Sequence, residues 1–415
     1  MELIETAEIL PRALLVSVDT GEYDAESSMA ELRELTASAG AETVSTIIQK
    51  REKPDGSTYV GSGMIEDIKI FCNENNIDII IFDCELSPIQ LRNIEDITDV
   101  RVIDRTMLIL DIFALRAKSK AGKLQVELAQ LKYMLPRLTG KGLEMSRLGG
   151  GIGTRGPGET KLETDKRHIR RRMELLKDQL RDIEDHRSLL RRRREKDGII
   201  TVAIVGYTNA GKSTLMNTLT QAGVLAENKL FATLDPTSRA LKLPNGVSVM
   251  LIDTVGLVRR LPHHLVEAFK STLEEAADAD IILNVCDASS DEAQLHLDVT
   301  AQLLRDLGSA DKPIIPILNK CDLITDKNKI LHLENAVPIS AINGTGIDGL
   351  LNAIEINLPV KIRRTELLIP FVDGSAVAQI RKSSTIISEE YQADGLKLIA
   401  LLDEVMYGRY SKYIV

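Results

Sequence analysis

The sequence predicts a multi-domain α/β protein: an N-terminal parallel α/β domain with an antiparallel helical arm, a phosphate-loop domain, and a small α+β domain at the C-terminal end. Three observations carry this reading. Strand-like apolar runs alternate with helical stretches over the first hundred residues; apolar residues recur every three or four positions through a basic middle segment; and a buried-strand pattern at residues 199–205 runs straight into a glycine-rich turn. With 415 residues, 44% of them hydrophobic, there is material for several cores.

Residues 1–105 alternate β-like runs at 13–18, 43–48, 77–82 and 100–103 with helical stretches at 27–39, 62–75 and 87–96. Strand, helix, strand in that rhythm implies a parallel sheet, because parallel neighbours need a crossover rather than a hairpin. Asp83 and Glu85 flank a strand end and read as loop carboxylates, with no catalytic constellation around them.

Residues 106–197 form the expected arm. Met107, Leu110, Ala114, Ala117, Ala121, Leu124, Leu128, Leu131, Leu135 and Leu138 make one continuous heptad seam, and Ile169, Met173, Leu176, Leu180, Ile183 and Leu190 make a second, interrupted by Arg187. Two such stripes of similar length should pack as an antiparallel hairpin, roughly 50 Å long at about 1.5 Å per residue. Pro136 should kink or end the first helix. The segment is basic: residues 115–200 hold 23 Lys and Arg against 12 Asp and Glu, a local +11 inside a chain of net −9. At its tip, residues 147–161, glycine fills six of the ten positions 149–158, with Arg147, Arg155 and Lys161 interspersed. A flexible linker is one reading. The other is a basic, backbone-rich loop on a stiff arm that contacts RNA phosphates through Arg147, Gly149, Gly150, Gly151, Arg155 and Lys161, with Arg170, Arg171 and Arg172 on the helix behind.

Residues 198–360 carry the most specific signals. Gly206, Tyr207, Thr208, Asn209, Ala210, Gly211, Lys212 and Ser213 spell a complete G-x-x-x-x-G-K-S phosphate loop, continued by Thr214. A strand feeding such a turn into a helix aims backbone N–H groups at phosphate oxygens, with Lys212 on the outer phosphates and the Ser213 hydroxyl on Mg2+. Asp253, Thr254, Val255 and Gly256 end the next apolar run, placing a carboxylate to hold Mg2+ through water and a glycine N–H toward a γ-phosphate. Asn319, Lys320, Cys321 and Asp322 end another. There a carboxylate can accept from both N1–H and N2–H of guanine, donors adenine lacks, so the pattern selects GTP and marks a P-loop GTPase (G) domain. Ser340 and Ala341 would set a backbone N–H on the guanine O6. Between them, Phe231, Ala232, Thr233, Leu234 and Asp235 read as the first switch segment, with Thr233 the second metal hydroxyl and Thr237 its rival. Lys212, Thr233, Gly256 and Asn209 are the candidate catalytic groups. Leu257 stands where Ras-like GTPases carry a water-orienting glutamine, so hydrolysis should be slow alone and depend on a partner or on K+ held near Asn209.

Residues 361–415 show strand-like runs at 367–372, 385–388 and 410–415 around helical patches. No run approaches a membrane-spanning length of about 18 apolar residues. The opening Met-Glu-Leu-Ile-Glu is acidic where a signal peptide would be basic, and Cys72, Cys84, Cys286 and Cys321 lack metal-ligand spacing and read as reduced thiols, so a cytoplasmic protein is expected.

Over nearly its whole length the chain resembles the HflX GTPases. The resemblance lies in Val102-Ile-Asp-Arg-Thr106, Ile109-Leu-Asp-Ile-Phe113, residues 122–132, residues 149–164 and Phe231-Ala-Thr-Leu-Asp-Pro-Thr237. It implies docking on the large ribosomal subunit, with the arm's loop near the peptidyl transferase centre, and splitting or rescue of stalled ribosomes under stress. Met64, in Tyr59-Val-Gly-Ser-Gly-Met64, departs from the lysine common in the family and argues against a phosphate-binding role for that N-terminal loop. The expected protein is therefore a monomeric GTPase, using Mg2+, with K+ as a candidate activator beside the ribosome, that binds the large subunit as its GTP form and is released on hydrolysis. The alternative is a ribosome-assembly or RNA-binding checkpoint that never splits subunits.

Overall fold

A computed structural model describes residues 10–138, 161–220, 231, 237–258, 276–309, 311–324, 333–359 and 363–415. The chain forms two compact units, the first holding described residues up to Ser188 together with Phe231 and Val258, the second holding the others.

In the first unit β1 (Arg12–Asp19), β2 (Glu42–Lys50), β3 (Ile79–Phe82) and β4 (Arg101–Asp104) form a parallel sheet of order β2-β1-β3-β4. The crossovers are α1 (Ala25–Ser38), α2 (Ser62–Asn75) and α3 (Pro88–Thr98), followed by α4 (Arg105–Arg116). Local chemistry sets their ends. The Asp24 carboxylate accepts from the Glu26 and Ser27 N–H groups, Ser87 and Gln90 cap each other's backbone with Pro88 opening α3, and Asp104 accepts from the Met107 N–H. Leu14, Val16, Ile68, Ile80, Phe82 and Ile94 fill the core. Arg105, nearly inaccessible, donates to Asp83 at 2.7 Å and Glu31 at 2.6 Å, so Asp83 is a structural ion-pair partner, not a loop carboxylate.

The expected seam of residues 107–138 is not one helix. Ala117 is extended and Ser119 starts a new helix, α5 (Lys120–Met134), by accepting from the Gly122 N–H. Leu108, Ile109 and Ile112 of α4 are buried along with the α/β domain that α4 packs on, so its apolar stripe serves that core. A 3₁₀ turn over Leu135–Arg137 ends α5 at Pro136. The return helix α6 (Lys161–Lys196) has 36 residues to the 15 of α5, so the two stripes are unequal. Ile169 and Leu176 are buried, whereas Leu175, Leu189 and Leu190 are exposed. The tip between residues 139 and 160 lies outside the described residues.

In the second unit β5 (Ile200–Gly206), β7 (Ser248–Asp253), β8 (Ile281–Asp287), β9 (Ile314–Asn319) and β10 (Val337–Pro338) run parallel and β6 (Thr237–Lys242) pairs antiparallel with β7, in the order β10-β9-β8-β5-β7-β6. Helices α7 (Lys212–Thr220), α8 (Ala293–Asp306) and α9 (Ile347–Ile356) contribute Leu215, Leu297, Leu350 and Ile354 to its buried clusters. A three-stranded antiparallel sheet of order β11-β13-β12 follows, built from β11 (Arg363–Ile369), β12 (Thr385–Gln392) and β13 (Gly395–Leu402), with α10 (Gly374–Ser383) and α11 (Glu404–Arg409). The strand expected at 410–415 is a 3₁₀ turn, Ser411–Tyr413, with only Ile414 bridging Leu367; the third strand is β13.

Candidate functional site

Three parallel strands, β5, β7 and β9, end at one edge of the six-stranded sheet, the edge where open α/β sheets hold ligands. Each delivers one motif. Gly206 closes β5 with φ +147°, and a Cβ there would collide with the Val285 carbonyl oxygen. Asn209 (φ +61°), exposed, and Gly211 (φ +89°) turn the loop back through left-handed backbone into α7.

Lys212 opens that helix almost fully buried, its Nζ donating to the Tyr207 carbonyl at 2.7 Å. Burial depresses its pKa to about 8, with the Asp253 carboxylate pulling the other way. Ser213 Oγ donates to Asp253 Oδ2 at 2.9 Å, and Asp253 is fully buried at the end of β7. A hydroxyl beside a carboxylate supplies hard oxygens suited to Mg2+, which binds through few protein ligands and completes its shell with phosphate and water. Among the described residues no group of three His, Cys, Asp or Glu forms a metal cage.

Thr254 Oγ1 donates to the Ile204 carbonyl at 2.8 Å, tying the 253–256 segment to β5. Val255 is buried, and a Cβ on Gly256 would lie 2.7 Å from Thr208 Cγ2 and 3.0 Å from Lys212 Nζ, so only glycine fits against the loop. Leu257 is buried too. Its N–H donates to the Gly206 carbonyl at 3.1 Å and its carbonyl accepts from the Thr208 N–H at 2.7 Å, a bridge that packs the segment onto the phosphate loop.

Asn319, at the end of β9, joins three pieces. Its Nδ2 donates to the Ala210 carbonyl at 2.8 Å and its Oδ1 accepts from the Ala341 N–H at 3.0 Å. Lys320, in left-handed backbone, pairs with Asp287 at 2.7 Å; Cys321 Sγ donates to the Leu318 carbonyl at 3.2 Å; Asp322 is exposed in the following 3₁₀ turn, Cys321–Leu323. Ser340 and Ala341 are buried, and the Ala341 carbonyl accepts from Thr218 Oγ1 of α7 at 2.6 Å. Thr218, Asp287 and His296, whose ring stacks on Tyr207, lie outside the motif positions; no spacing rule points to them.

Phe231 departs from expectation. It is buried in left-handed backbone (φ +56°), clusters with the first unit, and sets its ring edge-on to Phe113 of α4 with centroids 4.5 Å apart. An apolar ring gains more from an aromatic partner than from a phosphate. Ala232, Thr233, Leu234 and Asp235 lie outside the described residues, as do Arg147, Gly149, Gly150, Gly151 and Arg155. Arg170 and Arg171 are exposed on α6, but Arg172 is held by Glu127 of α5 through two bonds of 2.6 and 2.8 Å, so it braces the arm. The Gly61 backbone N–H donates to Gln49 Oε1 at 2.9 Å, and a Cβ at that position would collide with the Arg51 guanidinium.

Comparison with known proteins follows the same division. Residues 26–114 match a family model described as GTP-binding GTPase N-terminal, residues 116–194 one described as GTP-binding GTPase Middle Region, and residues 201–320 one described as 50S ribosome-binding GTPase. The chain is 50% identical over 411 residues to the GTPase HflX of Lacrimispora saccharolytica, covering 98% of this chain and 97% of the relative. It is 46% identical over 415 residues to that of Caldanaerobacter subterraneus subsp. tengcongensis (99% and 95% covered), and 38% identical over 389 residues to that of Escherichia coli (92% and 91% covered). A phosphate loop, a carboxylate paired with its serine, a guanine-type Asn-Lys-x-Asp turn and full-length relatives of one kind agree: the chain belongs to the HflX family of GTPases.

Proposed function

We propose that this protein binds GTP at the edge formed by β5, β7 and β9, docks on the large ribosomal subunit in that state, helps separate or recycle ribosomes, and leaves on hydrolysis. The observation that carries the nucleotide reading is Asn319. One side chain ties the phosphate loop to the Ala341 backbone, so phosphate and base contacts are held as one rigid cradle. In it the loop N–H groups and Lys212 would grip the phosphates, Asp322 the guanine N1–H and N2–H, and Ala341 the O6. Ser213, Thr233 and, through water, Asp253 would hold Mg2+, which when bound would supply positive charge to offset that developing on the transferred phosphate. Gly256 would present its N–H to the γ-phosphate.

Support for the ribosomal partner comes from the basic arm and from the description of the model matched by residues 201–320. The division of labour follows the proposed domains: 1–105 and the arm 106–197 for docking, 198–360 for the switch, 361–415 as an appendage. Leu257 cannot orient water, so turnover should be slow alone, rise with ribosomes, and be faster in K+ than in Na+ if Asn209 helps hold a cation; equal rates in the two salts would remove the cation from the scheme. Light scattering of intact ribosomes mixed with protein loaded with a non-hydrolysable GTP analogue decides the larger question. A drop means subunit separation, and a constant signal with retained large-subunit binding means the checkpoint reading.

A further inference from the structure

Tyr207 is the node of the phosphate loop. Its carbonyl accepts from Lys212 Nζ at 2.7 Å, its backbone bridges to Leu257, and its ring lies stacked on the imidazole of His296, centroids 3.9 Å apart and planes at 21°. His296 sits in the first turn of α8, largely buried, one turn after Glu292, with 3.9 Å between its Nε2 and a Glu292 carboxylate oxygen. None of the nucleotide motifs includes it.

We propose that His296 is a positioning residue for GTP hydrolysis, acting through Tyr207 on Lys212 and on the segment bridged by Leu257. The role rests on reading this loop as the GTP site. Two rings packed face to face resist sliding and tilting, because either motion opens a gap in a close contact. Fixing the Tyr207 ring fixes its carbonyl, which aims the Lys212 ammonium, and fixes the backbone that Leu257 pairs with, and so the 253–257 segment that carries Gly256. Phosphoryl transfer draws its rate from positioning and charge placement. Ground-state nucleotide binding instead spreads over many backbone N–H groups. Loosening one anchor should therefore lower kcat well before it lowers affinity.

The test compares single turnover of GTP with binding of a fluorescent GDP, on full-length protein. His296→Ala should leave GDP affinity within about twofold and lower kcat about tenfold, while His296→Phe, which restores a flat ring, should recover kcat to within about twofold. Adding Tyr207→Ala to His296→Ala should cost little more, because both remove the same contact. Should His296→Ala melt below assay temperature by circular dichroism, His296→Gln, similar in size without an aromatic face, makes the same comparison. Wild-type kcat in the ringless variant, or a His296→Phe protein as slow as His296→Ala, overturns the role. If the wild-type chain itself released no phosphate from GTP, the nucleotide reading would fall and the role with it; if it turns over and the ringless variant matches it, only His296 is acquitted.

Discussion

Charge at single residues decides which nucleotide this site takes and at what pH. Asp322 stands exposed in the 3₁₀ turn after β9, the position proposed to meet the base. Replacing it by Asn loses one acceptor for two guanine donors, which should weaken GTP by about 2–4 kcal/mol. Xanthine nucleotide, with a carbonyl in place of the amino group, should bind instead. Competition of GTP and XTP against a fluorescent GDP checks both halves, and undiminished GTP affinity would show the guanine assignment to be wrong. Lys212 gives the pH dependence. In the free protein burial holds its pKa at about 8, below the usual 10.5. A phosphate against it favours the ammonium and raises the pKa, so above pH 8 binding must take up a proton. Affinity should be full below pH 8 and fall as pH rises through that value, by up to about tenfold per unit. Titrating fluorescent GDP between pH 7 and 9.5 tests this, and a flat profile would mean that Lys212 does not meet phosphate.

At the scale of elements, the arm and the N-terminal sheet show what a periodic sequence reveals and what it hides. Four strands and three crossovers of the first domain were legible because short runs rich in Val, Ile and Leu alternate with helix-length stretches, although β2 carries Ser45, Thr46 and Gln49 among its apolar residues. The break at Ala117–Ser119 was not. The heptad spacing runs through it, and only a serine cap, a local hydrogen bond to Gly122, separates two helices that serve different cores. In the C-terminal domain β13 was missed because the short apolar run Leu396 to Leu402 fits a buried helical stretch as well as a strand, while Tyr410 and Tyr413 looked strand-like but pack from a turn into the core shared by β11, β13 and the helices. The motifs of the phosphate edge could be read because glycine, lysine and carboxylate are dictated by chemistry at fixed spacing. Tyr207 on His296 could not, since that pair is 89 positions apart and any aromatic could stack. Arg105 shows how tertiary charge escapes the same reading. Asp83 looked like a loop carboxylate, yet it lies under α4 fully enclosed with the Arg105 guanidinium. Arg105→Ala would leave Asp83 and Glu31 without that partner and should destabilise the protein by about 3–5 kcal/mol. Urea unfolding with fluorescent GDP bound monitors whether the loss is confined to the first unit; a shift under about 1 kcal/mol would mean water replaces the pair.

For the whole molecule, charge separates the work. A chain of net −9 concentrates its positive excess in residues 115–200, and within that stretch the exposed arginines of α6 are free to meet a polyanion only where the arm has not already used them. Arg172 is used, by Glu127; Arg191 is used, by Asp278; Arg170 and Arg171 are exposed. If the partner is ribosomal RNA, affinity for the large subunit should fall steeply with salt, with the log–log slope reduced by roughly one for each phosphate contact removed. Arg170→Gln with Arg171→Gln should therefore flatten the slope by up to about two, whereas Arg172→Gln should act mainly by loosening α5 from α6 and leave the slope nearly unchanged. Shortening residues 149–158 makes the complementary change: binding through the helices should persist while activity on the ribosome is lost. In all three variants GDP affinity should stay at its wild-type value, because the proposed nucleotide cradle is built from the second unit's strands. Sedimentation with large subunits across a salt series, followed by light scattering with intact ribosomes, reads all three variants. An unchanged slope in the Arg170 and Arg171 protein, together with full splitting by the shortened loop, would reduce the arm to a spacer and move the RNA contact elsewhere on the chain.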